Sequence, residues 1–358
     1  MRLRQLRLEN LRAFQSLDLD LDPGWNVFVG ANGAGKTTLL EAAYLLSHAR
    51  SFRSGPKDVL IRRRSEGFSV YGRVERAGAS DALGLARSGG VLEARVNGTP
   101  VAVADLLRHA AVACFEPGSH ELISGAADIR RRFLDWGVFH VEPDFLRVWR
   151  AFQRSLRQRN AWLRSGGAAS ELDPWDFEFA RTGAELVAMR ERYAGIFVPV
   201  AITALQDLLG ELGEARITIE SGWRGEGDTL SELAAARDED LRRGYTTRGP
   251  HRADWSLSFD QAPRREHLSR GQEKLCALAC ILAQARVYAA ERGEWPVVCV
   301  DDLASELDAF HQEKLVQSLR VVDAQVLITG THTPEALDEA HVQATRFHVE
   351  PGQVRRLL

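Results

Sequence analysis

An eight-residue segment near the start of the chain limits its possible folds more than any other feature. Residues 30–37 read Gly-Ala-Asn-Gly-Ala-Gly-Lys-Thr, a complete G-x-x-x-x-G-K-[ST] phosphate-loop pattern. Residues 25–29 before it are typical of a short buried strand, and the apolar residues of 38–47 recur with helical spacing. Because the N–H groups of such a turn and the following helix N-terminus converge on phosphate oxygens, the sequence predicts an α/β protein that binds a nucleoside triphosphate.

The residues of this loop have distinct predicted roles. Lys36 would place a positive charge on the β- and γ-phosphates, and the Thr37 hydroxyl would ligate Mg²⁺. A glycine-rich turn without a ligand is the simpler alternative, which the strand–loop–helix context disfavours. The candidate nucleotide-binding residues are Gly30, Ala31, Asn32, Gly33, Ala34, Gly35, Lys36, Thr37 and Thr38.

A second segment resembles a motif of the ATP-binding-cassette superfamily. Residues 268–272 read Leu-Ser-Arg-Gly-Gln, close to the usual Leu-Ser-Gly-Gly-Gln signature, and precede a long helical pattern. Ser269 and Gly271 are therefore predicted to lie at a helix N-terminus with exposed N–H donors. The resemblance implies that Ser269, Gly271 and Gln272 contact the γ-phosphate held by a second subunit. An ordinary helix cap is the alternative.

Two carboxylates follow a strand-like run. Residues 296–300 are apolar and rich in β-branched side chains, which is typical of a central parallel strand, and Asp301 and Asp302 come directly after them. Since the carboxyl ends of parallel strands lie beside the phosphate loop, Asp301 is predicted to hold Mg²⁺ together with Thr37. Asp302 stands where transporter-type cassettes carry the Glu that orients the attacking water. A helix or loop cap is the alternative for Asp302.

Three further segments have counterparts in cassette and SMC-type heads. Residues 305–308, Ser-Glu-Leu-Asp, resemble the D-loop that crosses the dimer interface. Thr331 and His332 follow another strand-like run, and both remain candidates for the cassette switch position. Arg12 matches the arginine that SMC-like heads bring to the nucleotide phosphates from the turn after the first strand.

Composition limits the class of protein without identifying it. With 358 residues and 45% hydrophobic content the chain can bury a proper core, and its net charge of −3 excludes a globally basic nucleic-acid coat. The four cysteines form no C-x-x-C pair, which fits a reducing compartment. Neither an apolar signal region nor a run of 18 apolar residues is evident, so we expect a cytoplasmic protein without a membrane span.

The distribution of patterns predicts an interrupted head. Residues 1–118 and 241–358 carry the strand patterns and nucleotide motifs and are predicted to form the two halves of an ATPase head. Residues 119–240 are charged and mainly helical, and are predicted to form an inserted arm domain.

The order of these segments resembles the heads of SMC-type ATPases, and the short insert with five particular strings resembles the RecF family. The strings are residues 49–53 (Ala-Arg-Ser-Phe-Arg), 131–137 (Arg-Arg-Phe-Leu-Asp-Trp-Gly), 157–160 (Arg-Gln-Arg-Asn), 244–254 (Gly-Tyr-Thr-Thr-Arg-Gly-Pro-His-Arg-Ala-Asp) and 269–274 (Ser-Arg-Gly-Gln-Glu-Lys). The resemblance runs from end to end and implies an ABC-type, SMC-head-like P-loop ATPase of the α/β class, with mixed β-sheets and a mainly helical inserted domain.

The same resemblance implies an ATP-dependent protein of recombinational repair. Its implied ligands are ATP and Mg²⁺, and its implied partners are a second copy of the chain, double-stranded DNA, gapped or junction DNA, and the RecO and RecR proteins. It would help RecA replace single-strand-binding protein and would hydrolyse ATP slowly, stimulated by DNA. Two alternatives are the ATPase subunit of a membrane transporter and a non-hydrolysing scaffold that uses ATP only to dimerise.

Two basic sets are candidates for DNA contact. The first lies on one face of the helical pattern over residues 145–163, a different face from its apolar one, and contains Arg147, Arg150, Arg154 and Arg157. The second contains Arg62, Arg63 and Arg64, with Arg50 and Arg53 nearby. Each set could instead be a solvated surface, although no acidic residue occurs between residues 144 and 171. Since no base-reading motif is present, we expect contacts to the DNA backbone.

Overall fold

The chain forms two units, of which one contains both chain ends. The computed structural model describes residues 1–53, 57–76, 78–165, 169–225 and 228–357. Met1–His120 and Arg270–Leu358 together form the first unit, called the head below, and Glu121–Ser269 form the second, called the insert.

The strands of the described residues belong to three sheets. In chain order they are β1 (Arg2–Leu11), β2 (Phe14–Asp20), β3 (Trp25–Val29), β4 (Gly67–Arg76), β5 (Ala79–Ser88), β6 (Val91–Val96), β7 (Thr99–Val101), β8 (Val112–Phe115), β9 (Ala215–Glu220), β10 (Asp254–Phe259), β11 (Val297–Val300), β12 (Val326–Gly330), β13 (Ala344–Glu350) and β14 (Gln353–Arg356).

The α-helices of the described residues are numbered in the same way. They are α1 (Lys36–His48), α2 (Val103–Leu106), α3 (Glu121–Ser124), α4 (Ala127–Val141), α5 (Phe145–Ser165), α6 (Asp173–Leu209), α7 (Thr229–Arg243), α8 (Arg270–Arg292), α9 (Leu303–Glu306), α10 (Ala309–Arg320) and α11 (Glu335–Glu339).

The sheet that carries the nucleotide motifs is mostly parallel. Its strand order is β14-β13-β3-β12-β11-β8, and only the β13–β14 pair is antiparallel. Every residue of β11 and β12 is buried, as expected for short apolar strands covered on both faces. Because β12 separates β3 from β11, the phosphate loop and the acidic strand end lie on either side of this one strand.

The second head sheet is antiparallel, with the order β2-β1-β4-β5-β6-β7. The hairpin predicted before the phosphate-loop strand is present as β1 and β2, which pair from Gln5–Asp20 to Leu11–Phe14. The β6–β7 hairpin turns at Asn97 and Gly98, whose φ angles of 51° and 81° are the positive pair that a type I′ turn requires. Burial alternates along β4, so one face of this sheet contributes to the head's core.

The insert is centred on α6, a helix of 37 residues. Its most apolar 18-residue window has a mean hydropathy of 1.4, enough by composition to cross a membrane. However, α6 contacts α4, α5, α7 and β9, and its buried side chains include Phe179, Phe197 and the ion-paired Asp176 and Arg190. Its apolar residues therefore form the core of the insert.

The insert ends later than the sequence predicts. The predicted second boundary was between residues 240 and 241, whereas the structure places it between Ser269 and Arg270. The reason is β-pairing: β10 forms an antiparallel hairpin with β9 over the whole of both strands, which keeps residues 254–259 in the insert. Arg130 of α4 also holds Asp254 through two hydrogen bonds of 2.7 and 2.9 Å.

Candidate nucleotide-binding site and basic surfaces

The phosphate loop connects β3 to α1 in a conformation that needs its glycines. Gly33 and Gly35 have φ angles of 81° and 107°, a region that other residues rarely adopt. A Cβ on Gly35 would lie 2.9 Å from the Phe14 ring, and one on Gly30 would lie 2.2 Å from the Val349 carbonyl oxygen. The loop is thus tightly bounded behind, while Ala31, Asn32 and Gly33 are exposed on its outer side.

Lys36, within the loop, and Thr38, directly after it, are both buried. The Lys36 Nζ donates to the carbonyls of Gly30 and Ala31, at 2.7 and 2.9 Å, which keeps its charge within the loop. Thr38 donates its backbone N–H to the Gly35 carbonyl at 2.9 Å. Thr38 therefore stabilises the end of the turn through its backbone, whereas Lys36 holds its cation against the loop's own carbonyls.

Asp301, at the end of β11, is connected to the start of α1 and to β12 through hydroxyl groups. Thr37 at the start of α1 donates its Oγ1 to Asp301 Oδ1 at 2.9 Å, and Thr329 of β12 donates to the same oxygen at 2.6 Å. Burial raises the pKa of the Asp301 carboxyl above its usual range, and the hydrogen bonds from Thr329 and Thr37 partly oppose this rise. Asp301 and Thr37 are thus brought together as predicted for an Mg²⁺ site.

Asp302 adopts an unusual backbone conformation. Its φ and ψ angles are 53° and 48°, and its N–H donates to Thr329 Oγ1 at 2.8 Å. Its side chain makes no capping hydrogen bond to α9, so the cap interpretation is not what the structure shows. The Oδ1 atom is buried and accepts no hydrogen bond from the described residues. A buried oxygen of this kind can accept a hydrogen bond from water or from a bound molecule.

The oxygen atoms at this point suit magnesium. Hydroxyl and carboxylate oxygens are the ligands that Mg²⁺ accepts, usually from one or two residues and the substrate phosphates. Among the described residues, no group of three or more His, Cys, Asp and Glu side chains could hold a metal alone. Thr37 and Asp301 supply oxygens of the preferred kind and so fit an ion that is shared with the phosphates of a nucleotide.

Arg12 pairs with a buried acid of α1. Its Nε and Nη2 donate to both carboxylate oxygens of Glu41, at 2.8 and 2.6 Å, and Glu41 is fully buried on α1. Ser51 donates to the same carboxylate. The recorded side-chain bonds of Arg12 thus fix α1 against the β1–β2 turn. Arg53 is the arginine whose charge is felt by Asp301, where it contributes to opposing the raised pKa.

The signature segment begins α8. Ser269 is exposed immediately before this 23-residue helix, Gly271 is exposed in its first turn, and Gln272 is half-buried. The N-terminus of α8 is accessible, as anion binding requires. Lys274 pairs with Glu306 at 2.7 Å, which ties α8 to the D-loop segment.

The D-loop segment has one clear structural role. Asp308 caps α10 by accepting the His311 N–H at 2.9 Å, and this bond is the main reason that the pKa of Asp308 is lowered. Ser305 is exposed and Leu307 is buried.

The two candidates for the switch position lie after β12. Thr331 and His332 are both exposed, and the Thr331 Oγ1 is 3.0 Å from the His332 Nδ1. The residue of β12 that contacts both Asp301 and Asp302 is Thr329, which the sequence interpretation missed. Its one available signal was a hydroxyl near the end of an apolar strand.

The four predicted arginines of α5 are all exposed. They are Arg147, Arg150, Arg154 and Arg157. Arg147 is 3.4 Å from Asp144 and 4.0 Å from Glu185 of α6. The pKa of Glu178 on α6 is lowered mainly by Arg181 and also by the charge of Arg154. No ion pair is recorded for Arg150 or Arg157 among the described residues, so these two are the stronger candidates for phosphate contact.

The second basic set follows the first helix of the head. Arg63 and Arg64 are exposed, and Arg62 is half-buried and donates its N–H to the Asn10 carbonyl at 2.8 Å. Ile61 bridges to Leu11, so the set is attached to the end of β1. The structure thus presents two exposed basic sets, one in each unit.

The head has the fold of an ABC-type P-loop ATPase of the mixed α/β class. Its defining features are the phosphate loop after β3, the acidic end of β11, β12 between these two strands, and the antiparallel second sheet. The family model described as the RecF/RecN/SMC N-terminal domain matches residues 2–355. The Smc head domain of Pyrococcus furiosus, solved with the C-terminal domain of ScpA, has a TM-score of 0.59 at 12% identity, covering 99% of this chain and 96% of that one, which shows the fold alone.

Full-length relatives are more specific. The DNA replication and repair protein RecF of Stenotrophomonas maltophilia (strain R551-3) is 45% identical over 362 residues, 99% of each chain. RecF of Citrobacter koseri is 36% identical over 99% of both. The recombination mediator protein RecF, solved with ATP and assigned to the RecFOR pathway, has a TM-score of 0.90 at 25% identity, covering 100% of this chain and 98% of that one. The chain therefore belongs to the RecF family.

Proposed function

We propose that this protein is an ATP-dependent DNA-binding protein of the RecFOR pathway. ATP with Mg²⁺ would bind to the head and dimerise two copies, and the dimer would bind duplex DNA at single-strand gaps or junctions. With RecO and RecR it would assist RecA loading in the cytoplasm. The observation that carries the proposal is the convergence of Thr37, Asp301 and the unpartnered Oδ1 of Asp302 beside the phosphate loop. Family membership supplies the pathway.

The head residues divide the work of binding and hydrolysis. The exposed loop N–H groups and Lys36 would hold the phosphates, and Thr37 and Asp301 would hold Mg²⁺, which neutralises charge on the phosphate oxygens when bound. Asp302 would accept a hydrogen bond from the attacking water through Oδ1 and so orient it. Since an Asp side chain reaches one methylene less far than the usual Glu, we expect turnover below the ~10 s⁻¹ median for enzymes.

Dimerisation would complete the site. The accessible N-terminus of α8 offers Ser269 and Gly271 as donors, with Gln272 beside them, to the γ-phosphate held by a second copy of the chain. The Lys274–Glu306 pair would transmit that contact to the D-loop. DNA would be held through its phosphates by Arg150 and Arg157, with Arg147 and Arg154 beside them, and by the set of Arg62, Arg63 and Arg64 in the head.

ATP turnover with and without duplex DNA tests this proposal, combined with light scattering. We expect slow, DNA-stimulated hydrolysis and an ATP-dependent shift from monomer to dimer, with Lys36→Ala as the control that lacks both. Hydrolysis indifferent to DNA would favour the transporter-type alternative. Dimerisation by ATP with zero turnover would favour a scaffold. Ser269→Arg should bind ATP and remain monomeric, because it places bulk and charge at the donor end of α8.

A further inference from the structure

A single buried hydroxyl contacts both acidic residues of the candidate site. Thr329 is fully buried near the end of β12, the strand between the phosphate-loop strand and the acidic strand. Its Oγ1 donates to Asp301 Oδ1 at 2.6 Å and accepts from the Asp302 N–H at 2.8 Å. One group therefore connects the side chain of the first carboxylate residue to the backbone of the second.

The use of this hydroxyl differs from that of another buried threonine in the chain. Thr182 of α6 donates to the Glu178 carbonyl one turn earlier at 2.8 Å, the ordinary local bond of a helical threonine, and its Oγ1 also lies 3.0 Å from the Ser155 Oγ of α5, where no acidic pair is involved. The recorded bonds of Thr329 both reach a neighbouring strand end and both involve the acidic pair. The hydroxyl at 329 therefore acts on the site and not on its own backbone.

The two acidic residues depend on this bond in different ways. Both recorded hydroxyl donors of Asp301 use Oδ1, so Oδ2 is the oxygen that remains for the Mg²⁺ shell. Asp302 has a left-handed backbone that few residues other than Gly adopt, and its buried Oδ1 accepts no hydrogen bond within the described chain. The direction of its carboxylate is thus set by the backbone, which Thr329 holds through the N–H.

We infer that Thr329 is a positioning residue that sets Asp301 for the metal and Asp302 for the water with one hydroxyl. The inference rests on the proposed function and adds to it a residue outside the recognised motifs. The outer partner of a metal ligand typically changes metal affinity or activity by 10–100-fold when it is removed. The same size of effect is expected here, without a change in the contacts that hold the nucleotide itself.

Two substitutions separate the hydroxyl from the shape of the side chain. Thr329→Val keeps the branched shape and removes the hydroxyl, whereas Thr329→Ser keeps the hydroxyl and removes a methyl group. Thr182→Val makes the same hydroxyl-to-methyl change at a buried threonine of the insert. ATP affinity is measured by calorimetry in EDTA and in Mg²⁺, turnover is measured as kcat and KM, and stability is measured by thermal melting.

Thr329→Val should bind ATP in EDTA as tightly as the native protein does. The increase in ATP affinity that Mg²⁺ produces should be about tenfold smaller, and kcat should be roughly 10–100-fold lower with little change in KM. Thr329→Ser and Thr182→Val should both resemble the native protein in these measurements. Equal Mg²⁺ gains and equal kcat values in Thr329→Val and the native protein would overturn the inference. A Thr329→Ser protein that folds but whose ATP affinity no longer increases with Mg²⁺ would also overturn the inference. This second comparison decides the question if Thr329→Val does not fold.

Failure of the proposed function would look different. The native protein would then show no gain in ATP affinity from Mg²⁺ and no turnover, before any substitution is compared. A native protein that binds MgATP and hydrolyses it, alongside an indistinguishable Thr329→Val protein, contradicts only the positioning role.

Discussion

Buried carboxylates occur in both units, and their partners differ. In the insert, Asp176 and Asp240 each accept a hydrogen bond of 2.7 Å from Arg159, whose side chain is fully buried. In the head, the Asp301 carboxylate instead accepts hydrogen bonds from the hydroxyls of Thr37 and Thr329. Asp302 donates its N–H to Thr329 Oγ1, and the recorded cationic influence on Asp301 is the charge of Arg53. A buried anion that lacks a protein cation has a raised pKa and favours a bound cation.

This contrast separates a structural role from a functional one. The insert's acids are already neutralised by arginine, and these ion pairs hold α5, α6 and α7 together. The Asp301 carboxylate is held in place by hydroxyl hydrogen bonds, and no ion pair is recorded for it among the described residues, an arrangement that suits an oxygen ligand of a divalent cation. Burial alone would not have distinguished Asp301 from Asp176 and Asp240, since all three are buried.

The largest expected effect is on the insert. Arg159→Met should lower the free energy of unfolding by about 3–5 kcal/mol, because it leaves Asp176 and Asp240 buried without their shared cation. In contrast, Asp301→Asn in Mg²⁺-free buffer should change it by about 1 kcal/mol or less, since the carboxylate it replaces is not neutralised by the protein. Urea unfolding of the full chain measures both. Similar losses in the two variants would show that the two acid pairs are equivalent.

The second effect concerns hydrolysis. Asp302→Asn should lower kcat by on the order of 10²-fold, because an amide is a poorer acceptor for the attacking water. It should leave ATP affinity unchanged. Because hydrolysis is slower, the dimer should remain on DNA for longer. Single-turnover hydrolysis and light scattering in parallel test this. Native-rate hydrolysis by Asp302→Asn would assign the water to another residue.

The third effect concerns the cation of the loop. Lys36→Ala should weaken ATP binding by about 1.5–3 kcal/mol, the value of a charge-assisted hydrogen bond. Lys314→Ala is a matched control, because this lysine stacks on the exposed Phe310, 4.5 Å from the ring centre on α10. Calorimetry with ATP and Mg²⁺ measures both. If the two variants lost affinity equally, the loop position of Lys36 would carry no special weight.

The smallest expected effect is on DNA affinity. It extends the comparison of neutralised and un-neutralised charges to the surface. Arg150→Ala combined with Arg157→Ala should flatten the log–log dependence of DNA affinity on salt by about two, and should do so for any sequence. Arg147→Ala combined with Arg154→Ala should flatten it less, because these arginines already face acids of α6. Fluorescence anisotropy at several salt concentrations with saturating ATP measures both pairs. Equal slopes in the first pair and the native protein would leave Arg62, Arg63 and Arg64 as the better candidates.

The head could be predicted from the sequence because its chemistry is local along the chain. The phosphate loop and the Asp301–Asp302 pair each lie within a few residues of the strand that positions them, and the fold follows from their order. Thr329 could not be assigned, because its role depends on β12 lying between the two motif strands. The pair between Arg12 and Glu41 of α1 was not predicted either, and the contact of Arg12 with phosphate stays a prediction.

The insert could be predicted less well because its interactions are between distant segments. The arginine face of α5 was recognised from helical spacing, but the acids that oppose Arg147 and Arg154 come from α6, which follows after a chain reversal. The late end of the insert has the same cause, since β10 pairs with β9 far back along the chain. Spacing within one element predicts which residues share a face, and it says nothing about what that face meets.

The close packing of the phosphate loop against β13 determines which substitutions in the head can be suppressed by a second mutation. A Cβ at Gly30 would meet the backbone carbonyl of Val349, so no side-chain replacement elsewhere can make room for it. A Cβ at Gly72 would instead meet the methyl ends of Leu46 and Leu3, which smaller residues could vacate. A screen for second-site suppressors should therefore recover revertants of Gly72→Ala at those leucines, and only true reversion for Gly30→Ala.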